Sequence, residues 1–237
     1  MFEKIKIPDN ITDIYIDVGL SWNMPFSMEW LNNYSDIFVI SIEPNIDNFV
    51  SCQNILSRSI HRDRCHLIRS AIGDVISPTK STLYTLINSS MHNGGHSSLY
   101  KPIGRFSSVI GNSYEVDVIP LSYILDSIPY KVIKHLKTDT QGNDLSVIKS
   151  LRHHLENVMD IYAEYDESND YETTESGEKL EKYLIDNNFE KYETIYGDGS
   201  NRNKITDLRF SNLKFPRQTI KTLNSTNGLK PIFKAWE

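Results

Sequence analysis

Cysteine is nearly missing from this chain: Cys52 and Cys65 are the only two among 237 residues, and they form no CxxC pair. That excludes a disulfide-stapled secreted scaffold and a cysteine-built metal centre, and it points to a reducing, cytoplasmic setting. A positive surplus is lacking too. With 25 Lys and Arg against 31 Asp and Glu, the net charge is −6, so no nucleic-acid partner held through its phosphates is expected. No apolar run approaches the roughly 20 residues of a spanning helix, so no transmembrane segment is expected. Charges at Glu3, Lys4 and Lys6 with no apolar stretch after them are unlike a secretory signal. Repeats and low-complexity tracts are absent as well. A composition 39% hydrophobic and 24% charged leaves one globular domain over residues 1–237 as the expectation.

What is present is a hydrophobic period that switches between strand-like and helix-like stretches. Strands are expected at Asp13 to Val18, Ile37 to Ile42, His66 to Ile68, Val132 to Leu136 and Met159 to Ala163. Helices are expected at Ser27 to Tyr34, Asn45 to Ile55, Leu145 to Leu155 and around Glu175 to Ile185. Such alternation makes βαβ units around a mostly parallel sheet. Between Ser77 and Pro120 the pattern breaks into Gly, Pro and short strands near Thr82 to Leu86 and Glu115 to Ile119, which reads as an inserted lid or substrate region. Strands around Lys191 to Ile195 and Ile205 to Phe210 fit an antiparallel hairpin at a sheet edge.

In an open α/β sheet, ligands bind beyond the carboxyl ends of the strands. Asp17-Val18-Gly19, Ser41-Ile42-Glu43, Ala71-Ile72-Gly73-Asp74 and Lys137-Thr138-Asp139 all follow strand candidates. Glu43 is the most informative, because an acceptor-only carboxylate there can take both hydrogens of a ribose diol. The loop after the first strand, Gly19-Leu20-Ser21-Trp22-Asn23-Met24-Pro25, has a single glycine and a bulky Trp, so a dinucleotide pyrophosphate fits poorly. The GxxxxGK[ST] pattern is absent too. S-adenosylmethionine (SAM), with ribose and adenine but no phosphate, asks less of that loop.

Taken in order, Ile16-Asp17-Val18-Gly19, Ile42-Glu43-Pro44-Asn45, Ala71-Ile72-Gly73-Asp74, His96-Ser97-Ser98-Leu99 and Leu136-Lys137-Thr138-Asp139-Thr140-Gln141-Gly142-Asn143-Asp144-Leu145 resemble the FkbM-type SAM-dependent methyltransferases. The last block resembles the family's "lKiDvEGhE" signature, with Gln141 where that signature has Glu. Asn23 stands where the common first loop has its second glycine, as in a GLSxNxPxS variant. The resemblance implies a Rossmann-like class I methyltransferase fold, mostly parallel with an antiparallel closing strand. It also implies O-methylation of a sugar or glycan hydroxyl, with SAM as cofactor and a saccharide as partner. By position, Asp17 and Gly19, with Ser21 and Asn23 of the same loop, would hold the methionine end, Glu43 the ribose, and Ala71 and Ile72 the adenine edge. Asp74 would close that pocket, and Asp139 would border the cofactor.

Methyl transfer to a weakly acidic hydroxyl needs a base or an acidifying cation. Asp139 and Glu164, at the ends of neighbouring strands, are candidates for either role, and together could hold Mg²⁺ or Mn²⁺ through oxygen ligands. His96, after Asn93-Gly94-Gly95, is the alternative base. From Leu208 to Trp236 there is no Asp or Glu, and this basic stretch, which overlaps a C-terminal extension at residues 211–237, could meet an anionic acceptor. Competing readings are a lipid, polyketide or small-metabolite acceptor, and a SAM-binding scaffold without chemistry.

Overall fold

The computed structural model describes residues 4–86, 96–165, 170–172, 176–197 and 204–215. In chain order the elements are β1 (Asp13–Val18), α1 (Pro25–Asn33), β2 (Ile37–Ile42), α2 (Ile46–Ser57), β3 (Cys65–Ile68), β4 (Ala71–Ile72), β5 (Thr79–Leu86), β6 (Ile110–Ile119), α3 (Leu121–Leu125), β7 (Val132–Thr138), α4 (Asp144–Lys149), β8 (Asp160–Glu164), α5 (Gly177–Asp186), β9 (Phe189–Tyr196) and β10 (Ile205–Asn212). Seven strands form one sheet in the order β3-β2-β1-β7-β8-β10-β9, and β10 alone runs antiparallel to its neighbours. The expected hairpin is therefore real, but β10 is laid inside β9, which takes the edge.

The period of two in β1 and β2 sorts their side chains onto two faces. Ile14, Ile16, Val18, Phe38, Ile40 and Ile42 enter one core, beside Leu145, Val147, Ile148 and Leu180 from the helices on that side. Tyr15, Ile37 and Val39 enter the other, covered by Phe26, Trp30 and Leu31 of α1 and Cys52 and Leu56 of α2. Met24 is fully buried in that second core.

Residues between Ser77 and Pro120 supply β5 and β6, which pair antiparallel and, with the preceding β4 parallel to β6, make a separate three-stranded sheet, β4-β6-β5. Both strands begin earlier than sequence suggests, because their outer halves are exposed and carry little apolar alternation. One expected element is broken. The helix read from Leu145 to Leu155 stops at α4; Arg152 takes a positive φ of 54°, and a 3-10 turn, Arg152–Asn157, follows. Asn93-Gly94-Gly95 and most of the basic extension, from residue 216 on, lie outside the described residues.

Candidate functional site

β1 sits between β2 and β7, and the chain leaves it toward opposite sides of the sheet, so a crevice opens where strand order reverses. The hydrogen-bond ladder runs one residue past each strand: Gly19 N–H donates to the Ile42 carbonyl (3.0 Å), Glu43 N–H to Ile68 (3.1 Å) and Asp139 N–H to Val18 (3.1 Å). Gly19, at φ +83°, lies so close to the next strand that an added Cβ would fall 1.9 Å from the Asp139 carbonyl oxygen. Only glycine combines that torsion with that approach.

The crevice holds a cavity. Gly19, Ser21, Glu43, Ala71, Ile72 and Asp139 line it, joined by Ser97, Thr140, Gln141 and Asn143. Glu43 is nearly inaccessible, and backbone donors fix both of its oxygens: Oε2 accepts from Leu20 N–H (3.0 Å) and Oε1 from Asn45 N–H (2.9 Å). Burial pushes its carboxyl up to about 7, with those two donors pulling the other way. Asn45 then caps α2 by accepting from Asp47 and Asn48 N–H.

Asp17 has a role other than the one expected of it. Its side chain is wholly buried behind the wall, where Oδ2 accepts from Ser27 N–H (3.1 Å) and Ser27 Oγ (2.6 Å). Met24, the N-cap of α1, makes no side-chain cap bond, so Asp17 reaches from β1 to satisfy the first turn and its positive dipole end. Oδ1 faces Lys137 Nζ at 3.4 Å, directly across the β1–β7 register. Burial alone would lower Lys137, but Asp17, Asp139 and Asp144 hold it above the ordinary lysine value. Its ammonium also donates to the Gly19 carbonyl, tying the first loop to β7.

A second wall is organised by one amide. Gln141 N–H donates to Glu164 Oε2 (3.0 Å), and its side-chain NH₂ donates to Glu164 Oε1 (3.0 Å) and Asp139 Oδ1 (3.2 Å). Two carboxylates accept only, so the amide's orientation is settled and Oε1 must be the atom facing His96 Nδ1 (3.0 Å) and the Tyr171 hydroxyl (3.3 Å). Nδ1 therefore carries the imidazole proton, which makes Nε2 the basic nitrogen. The Ser98 hydroxyl donates to the Gln141 carbonyl (2.8 Å), and His96, Phe106 and Tyr171 form an aromatic cluster with ring centroids 5.6 and 5.7 Å apart. Asp139, Glu164 and His96, picked from distant parts of the sequence, thus meet through Gln141; of the three, Asp139 lines the cavity itself, and Glu164 and His96 join it through the Gln141 amide.

The same geometry answers the metal reading. The Gln141 NH₂ stands between the Asp139 and Glu164 carboxylates and donates to both, so a shared Mg²⁺ or Mn²⁺ would have to displace it. The pair as arranged fits an amide rather than a cation. Asp74 does not close the pocket: it is exposed, and its N–H is turned toward Ser146 Oγ (2.8 Å). Asn143 takes that place, with Nδ2 donating to the Ile72 carbonyl (2.7 Å). Asn23 is half-buried and outside the wall. Gln141, Lys137 and Asn143 are the residues that sequence reasoning passed over, although all three lie in the signature block.

SAM fits what the walls offer. A fixed carboxylate, a backbone cradle at Gly19 and the apolar side chains of Ile72, Leu83 and Leu99 are joined by Thr140 Oγ1, which is buried with no partner among the described residues. Among those residues no helix is long and apolar enough to cross a membrane. No curated protein matches the sequence. Among solved structures, methyltransferase FkbM from Methylobacillus flagellatus KT aligns at TM-score 0.54 and 16% identity, over 85% of this chain and 44% of that one. M. capricolum TrmK, solved with S-adenosylhomocysteine (SAH), aligns at TM-score 0.48 and 10% identity, over 87% of this chain and 64% of that one. The chain therefore spans less than two thirds of either relative, and at these identities the likeness is one of fold. The methyltransferase FkbM domain model matches residues 21–191, which is most of the sequence, and the chain belongs to that family.

Proposed function

We propose that this chain transfers the methyl group of SAM to a hydroxyl of a saccharide. The observation that carries the reading is the acceptor wall, where the Gln141 amide binds Asp139 and Glu164 through its nitrogen and His96 Nδ1 and the Tyr171 hydroxyl through its oxygen. A polyol is rich in hydroxyl donors and suits a wall rich in acceptors, whereas a phosphodiester would be repelled by the paired carboxylates.

In this reading Glu43 takes the ribose diol, Gly19 and Ser21 the amino-acid end, and Ala71 and Ile72 the adenine edge. Asp17 acts indirectly, by fixing the first loop. SAM, when bound, supplies an electrophilic methyl group. The acceptor hydroxyl gives its proton to His96 Nε2, and the imidazolium formed keeps its Nδ1–H on the Gln141 amide oxygen. Asp139 and Glu164 hold that amide from its other end, which fixes the ring's orientation. Two buried free thiols agree with a reducing cytoplasm.

The test is a panel of glycans, nucleotide sugars, lipids and polyketide alcohols incubated with methyl-labelled SAM. Label in a saccharide, lost in Asp139→Asn with SAH binding retained, is the expected result. Label confined to a lipid or polyketide would replace the acceptor class, and SAH binding without transfer to any acceptor would make the chain a scaffold.

A further inference from the structure

A second polar cluster lies at the opposite end of β7. Asp126 follows α3, and His153 and His154 lie in the 3-10 turn Arg152–Asn157. Asp126 Oδ1 is 2.9 Å from His154 Nε2 and 3.6 Å from His153 Nε2, and the ligand atoms of all three residues lie within 4.8 Å of one another. Ligands at the corners of a zinc tetrahedron, with bonds of about 2.0–2.1 Å, stand about 3.4 Å apart. The three atoms already bracket that spacing.

We propose that Asp126, His153 and His154 form a binding site for a zinc-class divalent cation. Two imidazoles and one carboxylate are the donor set of such ions and not of Mg²⁺ or Ca²⁺. The His154 side chain is 9% exposed, whereas those of His153 and Asp126 are 70% and 59% exposed. One ligand is therefore fixed in the fold, and the outer two leave room for water as the fourth. Tyr130 supplies the outer support that metal-bound imidazoles use, with its hydroxyl 2.5 Å from His154 Nδ1. When Nε2 takes the metal, the imidazole proton moves to Nδ1 and donates to the Tyr130 oxygen. The tyrosyl hydrogen then turns away from the imidazole, and Asn157 remains a hydrogen-bond partner of the Tyr130 oxygen.

Tyr130 precedes β7 and Asp139 follows it, so the strand's seven residues, at about 3.3 Å each, separate this cluster from the catalytic wall by roughly 20 Å. The cation would clamp α3 to the 3-10 turn, a structural role. Any EDTA effect on this protein should then appear in stability and not in turnover.

The test is calorimetry of the chelator-washed full chain with Zn²⁺, and absorbance with Co²⁺, alongside His153→Ala and Asp126→Asn. Expected are one saturable site at micromolar or tighter affinity, a tetrahedral Co²⁺ spectrum and a Tm rise of a few degrees. Each variant should bind at least tenfold more weakly while keeping the metal-free Tm of wild type. Binding weaker than about 100 μM, or equal binding by wild type and both variants, would overturn the site.

Discussion

The two walls of the cavity are built in different ways. On the β2 side, Glu43 is held by N–H groups of Leu20 and Asn45, and Gly19 by the ladder to Ile42, so backbone does the positioning. On the β7 side, contacts run from side chain to side chain: Gln141 reaches His96 across 45 positions, Tyr171 across 30 and Glu164 across 23. The segments carrying His96 and Tyr171 lean on each other through Ile103 N–H to the Asp170 carbonyl (2.7 Å) and Glu172 N–H to Lys101 (2.9 Å). The first wall inherits its rigidity from the sheet; the second depends on surface segments docking. A fold can therefore keep its cofactor while changing its acceptor.

If the walls are independent, damage to one should spare the other. The largest effect is expected from His96→Ala, which removes the proposed base: turnover should fall about 10²–10⁴-fold while SAH affinity, read by calorimetry, stays within about threefold. A parallel loss of SAH binding would join the walls. Gly19→Ala should do the reverse. Its Cβ meets the Asp139 carbonyl at 1.9 Å, so the crevice must widen, and SAH affinity should fall on the order of 10²-fold in a protein that still folds by circular dichroism. Unchanged affinity would mean that the cofactor does not use this turn.

How far the site was legible follows the same division. β1 and β2 declare themselves because each is a fully apolar or alternating run between turn residues, and the residue that follows each strand then falls in the crevice by topology alone. Glu43 and Gly19 could be placed that way. Asp17 could not, because its carboxylate points into the face that carries α1, and pairing with Ser27 and Lys137 is a fact of register. Gln141 carries no charge and breaks the signature, so it looked like a departure. Only the fold shows its amide joining three residues that sequence had already chosen. The helix after β7 ended early for a local reason that no periodicity announces: Arg152 adopts a left-handed torsion.

The subtlest effect tests the cofactor wall, and with it the central claim that this cavity holds SAM by Glu43. Burial raises the Glu43 carboxyl from 4.5 to about 7, so in the cofactor-free protein its contribution to stability is full below 4.5 and is lost as pH rises through 7. Ribose hydroxyls donate to the ionised form, so binding should strengthen over the same interval. Calorimetric titration of SAH into wild type and Glu43→Gln at pH 6 and pH 8 measures this directly. The account predicts about a tenfold gain in wild-type affinity from the lower to the higher pH, and weaker binding without that gain in the variant. Equal affinities for wild type and variant at both pH values would contradict it.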